Sequence, residues 1–184
     1  KNKVTPFHGA ARITEPGAVE VTGADCKIEN LYADKILIAT GSEVTPLPGV
    51  DIDEKRIVSS TGALELNKLP KRLVVVGGGV IGIEYASMFA TLGVRVTVID
   101  KRPRLLDFVD HEIIDALVYH MRQDRCSFRL GEEVSGIERY EDPTFGERVR
   151  IHLGSGKQIN AEKALYSIGR TGSTSRLGLE EAGL

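Results

Sequence analysis

The sequence is poor in several features that mark particular classes of protein. It has no tryptophan, only two cysteines, and no apolar run that approaches the roughly 20 residues needed to span a bilayer. Cys26 and Cys126 lie far apart and form neither a C-x-x-C pair nor a metal-ligand spacing, so we expect neutral free thiols in a reducing compartment. The four histidines show no ligand spacing either, so we predict no metal site. The amino end lacks a signal-peptide core, and we expect a cytoplasmic protein.

Charge is nearly balanced along the chain. The 24 basic and 26 acidic residues give a net charge of −2, and neither sign forms a long block. This balance provides no electrostatic attraction for nucleic acid or for an anionic membrane surface. The length is enough for one domain or slightly more, and the apolar fraction of 41% supports an ordinary globular core. We therefore expect a globular protein with a small-molecule partner.

The most informative stretch follows an apolar run at residues 73–76, which is typical of a strand buried on both faces. Gly77, Gly79 and Gly82 then fit the spacing G-x-G-x-x-G. In this motif the first glycine permits a tight turn and the second lets a pyrophosphate approach bare backbone. The third lets the following helix pack against the strand. The spacing predicts a dinucleotide-binding turn, and the alternative is a structural glycine-rich turn in another α/β protein.

A helix is predicted over about Val80–Leu92, ended by Gly93. Its first N–H groups have no intrahelical partner and carry the positive end of the helix dipole, so they suit a phosphate. A second strand follows and ends near Asp100, about 20 residues after the glycines, where the motif places an acid for the ribose hydroxyls. The predicted buried stripe of the helix comprises the residues at 81, 85, 88 and 92, with Ile83, Ala86 and Ala90 beside it.

The flanking segments predict further strands and one more helix. Residues 7–32 alternate weakly and indicate a three-stranded meander, and Lys35–Ala39 is typical of a buried strand. After the second strand, Asp110 is predicted to cap a helix whose buried stripe lies at residues 113, 117 and 121, with Ile114 and Val118 alongside. A third strand is predicted at residues 126–130, and alternation over residues 134–140 and 147–153 indicates an antiparallel hairpin. A returning strand at 157–161 and a last strand at Ala164–Ile168 complete the pattern. We predict an α/β fold, a Rossmann-like parallel sheet with a β-meander, whose ligand lies beyond the carboxyl ends of the parallel strands.

Three segments carry a resemblance to a known family. These segments are LVVVGGGVIGIEYASMFATLGVRVTVI, the preceding ATGSEVTPLPG and the later SIGRTG. They resemble the two-dinucleotide-binding-domain flavoprotein reductases, in which a pyridine-nucleotide domain interrupts an FAD domain. The shorter segments FHGAARI, RLLDFVDHEIIDALVYH and YSIGRTGST are most similar to the pyridine nucleotide transhydrogenase branch of that family.

The resemblance implies a division of the chain. Residues 1–48 are similar to the closing part of the first FAD-domain segment, residues 49–170 to the NAD(P)-binding domain, and residues 171–184 to the start of the return to the FAD domain. A second G-x-G-x-x-G, the family's cysteine pair or its substitute, and its dimerisation domain have no counterpart in the sequence. We therefore expect a fragment of a homo-oligomeric enzyme, without catalytic residues or turnover of its own.

The resemblance also implies roles for individual residues. Val80 and Ile81 would offer backbone N–H groups to the pyrophosphate, and Glu84 would help orient the nicotinamide. The resemblance also implies that Val134 lies near the adenine and Gly169 beside the nicotinamide. Thr40 and Gly41 would lie near the flavin nucleotide. For Glu84 the alternative is simple complementarity to the helix dipole, and for Val134 it is merely the start of a strand.

The residues around Asp100 give opposing indications of nucleotide preference. A carboxylate accepts from the 2′-hydroxyl of NAD and repels the 2′-phosphate of NADP. Lys101, Arg102 and Arg104 favour a phosphate instead, although Asp107 stands roughly where NADP-specific relatives carry a second cation. A mixed site suits an enzyme that binds both nucleotides in turn. The alternative is a solvated basic loop after an NAD-selective acid.

The function that the resemblance implies is FAD-dependent transfer of reducing equivalents between NADPH and NAD. Its cofactors would be FAD, NAD and NADP, and the flavin would carry the chemistry. A related flavoprotein disulfide reductase or a dihydrolipoamide dehydrogenase is an alternative within the family. From other classes, a non-catalytic NAD-sensing module is the second alternative and a methyltransferase a more distant one.

Overall fold

The computed structural model describes residues 3–46 and 48–184 of the chain. The chain forms two compact units, one made of Lys1–Glu43 with Thr171–Leu184 and the other of Val44–Arg170. The elements are β1 (Ala10–Glu15), β2 (Ala18–Thr22), β3 (Ile28–Tyr32), β4 (Ser42–Val44), β5 (Ile57–Val58), α1 (Ser60–Leu64), β6 (Arg72–Val76), α2 (Val80–Thr91), β7 (Arg95–Asp100), α3 (His111–Gln123), β8 (Cys126–Leu130), β9 (Val134–Asp142), β10 (Gly146–Leu153), β11 (Gln158–Ala161), β12 (Lys163–Tyr166) and β13 (Arg170–Gly172). The short strands β4 and β13 form a two-stranded sheet.

The smaller unit contains the predicted meander. Strands β1, β2 and β3 are antiparallel neighbours in that order, with Ile13 opposite Val19 and Val19 opposite Leu31. Ile13 and Val21 are among its few buried apolar residues. Alternation of apolar and polar residues locates this three-stranded sheet, although β3 has no buried residue and its Ile28 and Tyr32 are exposed.

The prediction of a buried strand at Lys35–Ala39 is wrong. The structure has no strand over these residues, and Leu37 is 92% exposed. An apolar run becomes a buried strand only when neighbouring strands satisfy its backbone groups and other elements cover its faces. The described residues of this chain provide no such neighbours for this segment.

The larger unit is built on a five-stranded parallel sheet in the order β5-β12-β6-β7-β8. Side chains on β6 alternate between the two faces. Val75 packs with residues of α2 and α3, whereas Val74 and Val76 pack with residues of the antiparallel sheet β9, β10 and β11. The predicted α/β fold, a parallel sheet with helices on one face and a meander on the other, is confirmed.

The buried faces of the two longer helices differ from the predicted stripes. In α2 the buried residues are Gly82, Ile83, Ala86, Phe89 and Ala90, whereas the predicted stripe residues Met88 and Leu92 are 47% and 62% exposed. This helix is apolar on most sides, so periodicity alone does not identify the face that packs. Small residues contact the sheet because they allow the closest approach.

In α3 the predicted stripe is displaced by one residue at its start. Ile114 and Met121 are buried, whereas Ile113 is 61% exposed. Asp110 caps the helix as predicted, since its side chain accepts a hydrogen bond from the backbone N–H of Glu112. The helix therefore begins at the predicted place, and the predicted Leu117 and Met121 pack in the core with Ile114, whereas Ile113 does not.

Candidate nucleotide-binding site

Two glycines of the predicted motif are required by the backbone geometry. Gly77 follows β6 with φ = +103°, and a Cβ at this position would stand 2.5 Å from the carbonyl oxygen of Ser167. A Cβ at Gly82 would overlap the carbonyl oxygen of Gly77. Gly77 thus needs both a left-handed backbone and space, whereas Gly82 needs only space. Together they let the chain turn sharply and bring α2 close to the end of β6.

Gly79 has a different environment. It is the N-cap residue of α2, with ordinary extended backbone angles, and a Cβ there would meet no atom within 4 Å. As a glycine it makes no side-chain hydrogen bond to the first turn of the helix. The N-terminus of α2 therefore borders open space at Gly79, which is an arrangement that suits a phosphate.

A cleft of about 600 Å³ opens at this turn. It lies beyond the carboxyl ends of β6, β7 and β12, where ligands bind in open parallel sheets. The structure brings most of the predicted site residues together around it. Those that line the cleft are Gly77, Gly79, Val80, Ile81, Asp100, Lys101, Arg102, Val134 and Gly169.

The other predicted site residues do not line this cleft. Gly82 is buried in the first turn of α2 against Gly77, and Glu84 is exposed on the same helix. Thr40 and Gly41 belong to the smaller unit and are exposed there. The roles expected for these residues near the nicotinamide and the flavin stay predictions.

Six residues that line the cleft were not predicted as site residues: Val76, Ile99, Glu132, Glu133, Ser167 and Ile168. The hydroxyl of Ser167 donates to the backbone oxygens of Val76 and Gly77, each at 3.0 Å, and so joins the end of β12 to the glycine turn. Val76 and Ile99 lie at or next to the carboxyl ends of β6 and β7, and the other four follow β8 or β12 within three residues. The rule that ligands bind beyond carboxyl strand ends was the available signal for them.

Asp100 lies at the side of the cleft and is only 7% exposed. Its Oδ2 accepts from the N–H of Gly78 at 2.7 Å and from Nη2 of Arg102 at 2.9 Å. Its Oδ1 accepts from the backbone N–H of Arg102 at 2.8 Å and from Nε of Arg102 at 3.0 Å. Four donors thus converge on a group that has about four acceptor positions.

These contacts determine the charge of the site. Burial by itself would raise the pKa of Asp100, but the hydrogen bonds from Arg102 and Gly78 hold that pKa below its ordinary value. The hydrogen bond to Asp100 likewise raises the pKa of Arg102. At neutral pH the pair is therefore an ionised carboxylate bound to a guanidinium.

The basic loop after β7 is not a set of equivalent free cations. Lys101 and Arg104 are exposed, whereas Arg102 is half-buried against Asp100 and its Nη1 lies 3.8 Å from Oδ1 of Asp107. The structure therefore engages Arg102 with two carboxylates, whereas Lys101 is exposed.

Three further observations concern the expectations about thiols, metals and membranes. Cys26 is exposed and Cys126 is buried, both as free thiols, and burial raises the pKa of Cys126 to about 12. Within residues 3–46 and 48–184, no three His, Cys, Asp or Glu side chains come together in a way that could hold a metal ion. None of the helices in the same residues has the length and apolar character to cross a membrane.

The glycine turn, the uncapped helix and the acid at the end of β7 are arranged as in dinucleotide-binding proteins, and the comparison with protein families agrees. The model of the pyridine nucleotide-disulphide oxidoreductase family matches residues 1–184. The chain belongs to this family. The resemblance to flavoprotein reductases that the motifs carry is thereby confirmed.

Relatives among curated proteins match the whole chain. It is 44% identical over 185 residues to the soluble pyridine nucleotide transhydrogenase of Mycobacterium tuberculosis (strain ATCC 25177 / H37Ra), covering 100% of this chain and 38% of that protein. It is 42% identical over 184 residues to the protein of the same name from Stutzerimonas stutzeri (strain A1501), covering 100% of this chain and 39% of that protein. The chain therefore spans about two fifths of the length of the curated relatives it matches.

Two solved structures are similar to the chain in both fold and sequence. The HOCl-induced flavoprotein disulfide reductase RclA from Escherichia coli has a TM-score of 0.79 at 31% identity, covering 96% of this chain and 38% of that chain. LpdA from Mycobacterium tuberculosis has a TM-score of 0.82 at 29% identity, covering 95% of this chain and 38% of that chain. Both similarities extend over nearly all of the present sequence.

Proposed function

We propose that this chain is the nucleotide-binding part of an FAD-dependent soluble transhydrogenase, which moves reducing equivalents between NADPH and NAD. The names of the curated relatives, at 42–44% identity over the whole chain, support this activity. The observation that carries the proposal is the open space at Gly79 in front of the uncapped N-terminus of α2. A dinucleotide pyrophosphate fits there because it needs backbone donors and no intervening side chain.

The residues around the cleft provide a binding role for each part of the nucleotide. The N–H groups of Val80 and Ile81 would donate to the pyrophosphate, and Val134 would contact the adenine. Asp100 would lie beside the adenosine ribose, and Gly169, with φ = +153° and no side chain, would let the nicotinamide end lie against backbone. Binding and orientation are the contributions of this chain, and bound FAD would supply the redox chemistry.

The domain assignment belongs to the same proposal. Residues 49–170 would be the NAD(P) domain, with residues 1–48 and 171–184 as adjoining pieces of an FAD domain. The compact units change over at residues 43/44 and 170/171, which is within a few residues of these limits. In the whole protein, Thr40 and Gly41 would approach the flavin nucleotide and Glu84 would orient the nicotinamide. A homo-oligomeric, cytoplasmic protein is part of this proposal.

The test uses the full-length protein from which the chain comes. We expect a bound flavin spectrum and NADPH-dependent reduction of thio-NAD, with parallel initial-rate lines, because the proposal gives both nucleotides one site that they occupy in turn. Intersecting lines would contradict the shared site. A protein that binds NADH but holds no flavin would instead be a non-catalytic NAD-sensing module.

A flavoprotein disulfide reductase is the second candidate. It is favoured by the similarity to RclA, whose structure is described as a flavoprotein disulfide reductase. The same full-length protein distinguishes the two, since a disulfide reductase would reduce a disulfide substrate with NADH or NADPH faster than it reduces thio-NAD. The transhydrogenase proposal expects the opposite order of rates.

A further inference from the structure

The carboxylate of Asp100 has no acceptor position left for a ribose hydroxyl. Two of its four hydrogen bonds come from backbone N–H groups, those of Gly78 and Arg102. The other two come from the guanidinium of Arg102, through Nε and Nη2. An ionised carboxylate accepts at about four positions, so all of them are used.

Only the side chain of Arg102 can vacate these positions without a change of fold. The N–H of Gly78 is part of the glycine turn, where a Cβ would already meet Asp100 and Leu105. The N–H of Arg102 is fixed by the course of the chain directly after β7. A 2′-hydroxyl can therefore donate to Asp100 only after Nε or Nη2 of Arg102 has moved away.

This inference rests on the proposed binding of nicotinamide dinucleotides in the cleft. We propose that Arg102 is a specificity-determining positioning residue that acts through Asp100, with opposite effects on the two nucleotides. It competes with the 2′-hydroxyl of NAD for the carboxylate, and it binds the 2′-phosphate of NADP after leaving Asp100. One site thereby accepts both nucleotides, and Arg102 sets their relative affinity.

The surroundings of Arg102 permit both arrangements. Its side chain is 37% exposed and lines the cleft together with Asp100 and Lys101. The guanidinium fork that binds the carboxylate also matches a phosphate, and Lys101 adds a second cation on the same side. Asp107, 3.8 Å from Nη1 of Arg102 and 70% exposed, offers another carboxylate to a guanidinium that NAD has displaced.

The experiment measures dissociation constants of NADH and NADPH by calorimetry on the 184-residue chain and on Arg102→Ala. This variant keeps the backbone donor of residue 102 but frees two acceptor positions on Asp100. We expect NADPH to bind about tenfold more weakly or worse, since a charged hydrogen-bonding partner is lost, and NADH to bind severalfold more tightly. Arg95→Ala is the matched control, because it removes the same charge from the exposed opposite end of β7. It should leave both constants unchanged.

Arg102→Lys serves as the second variant, and thermal unfolding checks that each variant is folded. Lysine keeps the charge but cannot bind both carboxylate oxygens as a fork, so NADPH affinity should be partly restored while NADH still binds more tightly than to the original chain. Equal weakening of both nucleotides in Arg102→Ala, or no change in either, would overturn the inference. If the unchanged chain binds neither nucleotide, the proposed function itself fails.

Discussion

Gly82 packs so closely against Gly77 that a Cβ at position 82 would overlap the carbonyl oxygen of Gly77. Gly79, between them, has open space where its Cβ would be. The three glycines of one motif therefore have separable purposes. The first and third allow the turn and the approach of the helix, and the second leaves room for a ligand. Substitutions at these positions should affect folding and binding independently.

Gly79→Ala should weaken nucleotide binding without unfolding the protein. Its backbone angles suit alanine, and the loss at an N-cap position is below about 1 kcal/mol. The added methyl group would occupy the space in front of the α2 N-terminus, so we expect NADH to bind about tenfold more weakly, a loss of about 1.4 kcal/mol. Calorimetry with NADH and chemical denaturation measure the two effects.

Gly82→Ala is the matched comparison, since it makes the same change three residues along. Here the methyl group meets a backbone oxygen that no rotamer change can move, and overpacking of this kind costs about 1–3 kcal/mol of unfolding free energy. Equal destabilisation by the two substitutions would contradict the separate purposes of Gly79 and Gly82.

Asp100→Asn should change how the stability of the protein depends on pH. The pKa of Asp100 is lowered in the folded state, so on acidification the unfolded chain takes up the proton first. The stabilisation from the ionised carboxylate is therefore complete above about pH 4 and is lost as pH falls through the folded-state pKa. We expect the variant to be about 1–3 kcal/mol less stable at pH 7 and the difference to shrink below about pH 4.

Urea denaturation at several pH values measures this difference. Asp107→Asn is the control, because Asp107 also lies near Arg102 but is 70% exposed, and exposed ion pairs contribute little to stability. The ionised pair would be contradicted if the difference in unfolding free energy between the unchanged chain and Asp100→Asn stayed constant down to pH 2.

The two thiols should differ in reactivity with an alkylating reagent. Cys26 is exposed, whereas Cys126 is 4% exposed at the start of β8, and burial raises its pKa to about 12. Only the thiolate attacks, so at about pH 8 iodoacetamide should modify Cys26 alone in the folded protein. Mass spectrometry should show modification of Cys126 only after denaturant is added. Equal rates at both thiols in native buffer would show that β8 is not packed as described.

Leu37 tests the segment at which the sequence-based prediction is wrong. Because its side chain is 92% exposed, Leu37→Ser should change the free energy of unfolding by less than about 0.5 kcal/mol. Leu165→Ala in β12, where the side chain is fully buried, should cost about 2–5 kcal/mol. Equal costs would place Leu37 in a buried strand after all.

Local pattern was sufficient for much of the fold. The apolar run before Gly77 and the alternation in β9 and β10 place their strands correctly, because the contacts that fix those strands lie within this chain. The prediction of a strand at Lys35–Ala39 is wrong because a strand needs neighbouring strands to pair with. Composition does not reveal whether such strands are present. The prediction of the buried face of α2 is wrong because apolar residues surround the helix. Which face packs on the sheet depends on the close approach of small side chains.

The candidate site was predictable in position but not in its internal contacts. Glycine spacing and the acid at the end of the second strand indicate the cleft, because the motif states where a ligand needs bare backbone. The bond between Arg102 and Asp100 was not predicted, because it depends on the orientation of a long side chain that could equally face solvent or a phosphate. Specificity residues are therefore harder to assign than the binding turn.

The most direct test of the central claim, that this cleft binds a nicotinamide dinucleotide, is NMR mapping of backbone amides during titration with NADH. We expect the largest shifts at Gly79, Val80 and Ile81, whose N–H groups face the space for the pyrophosphate, with smaller shifts at Gly169. Shifts confined to residues outside this cleft, such as Arg139 and Tyr140 on β9, or no shifts at millimolar NADH, would contradict this claim.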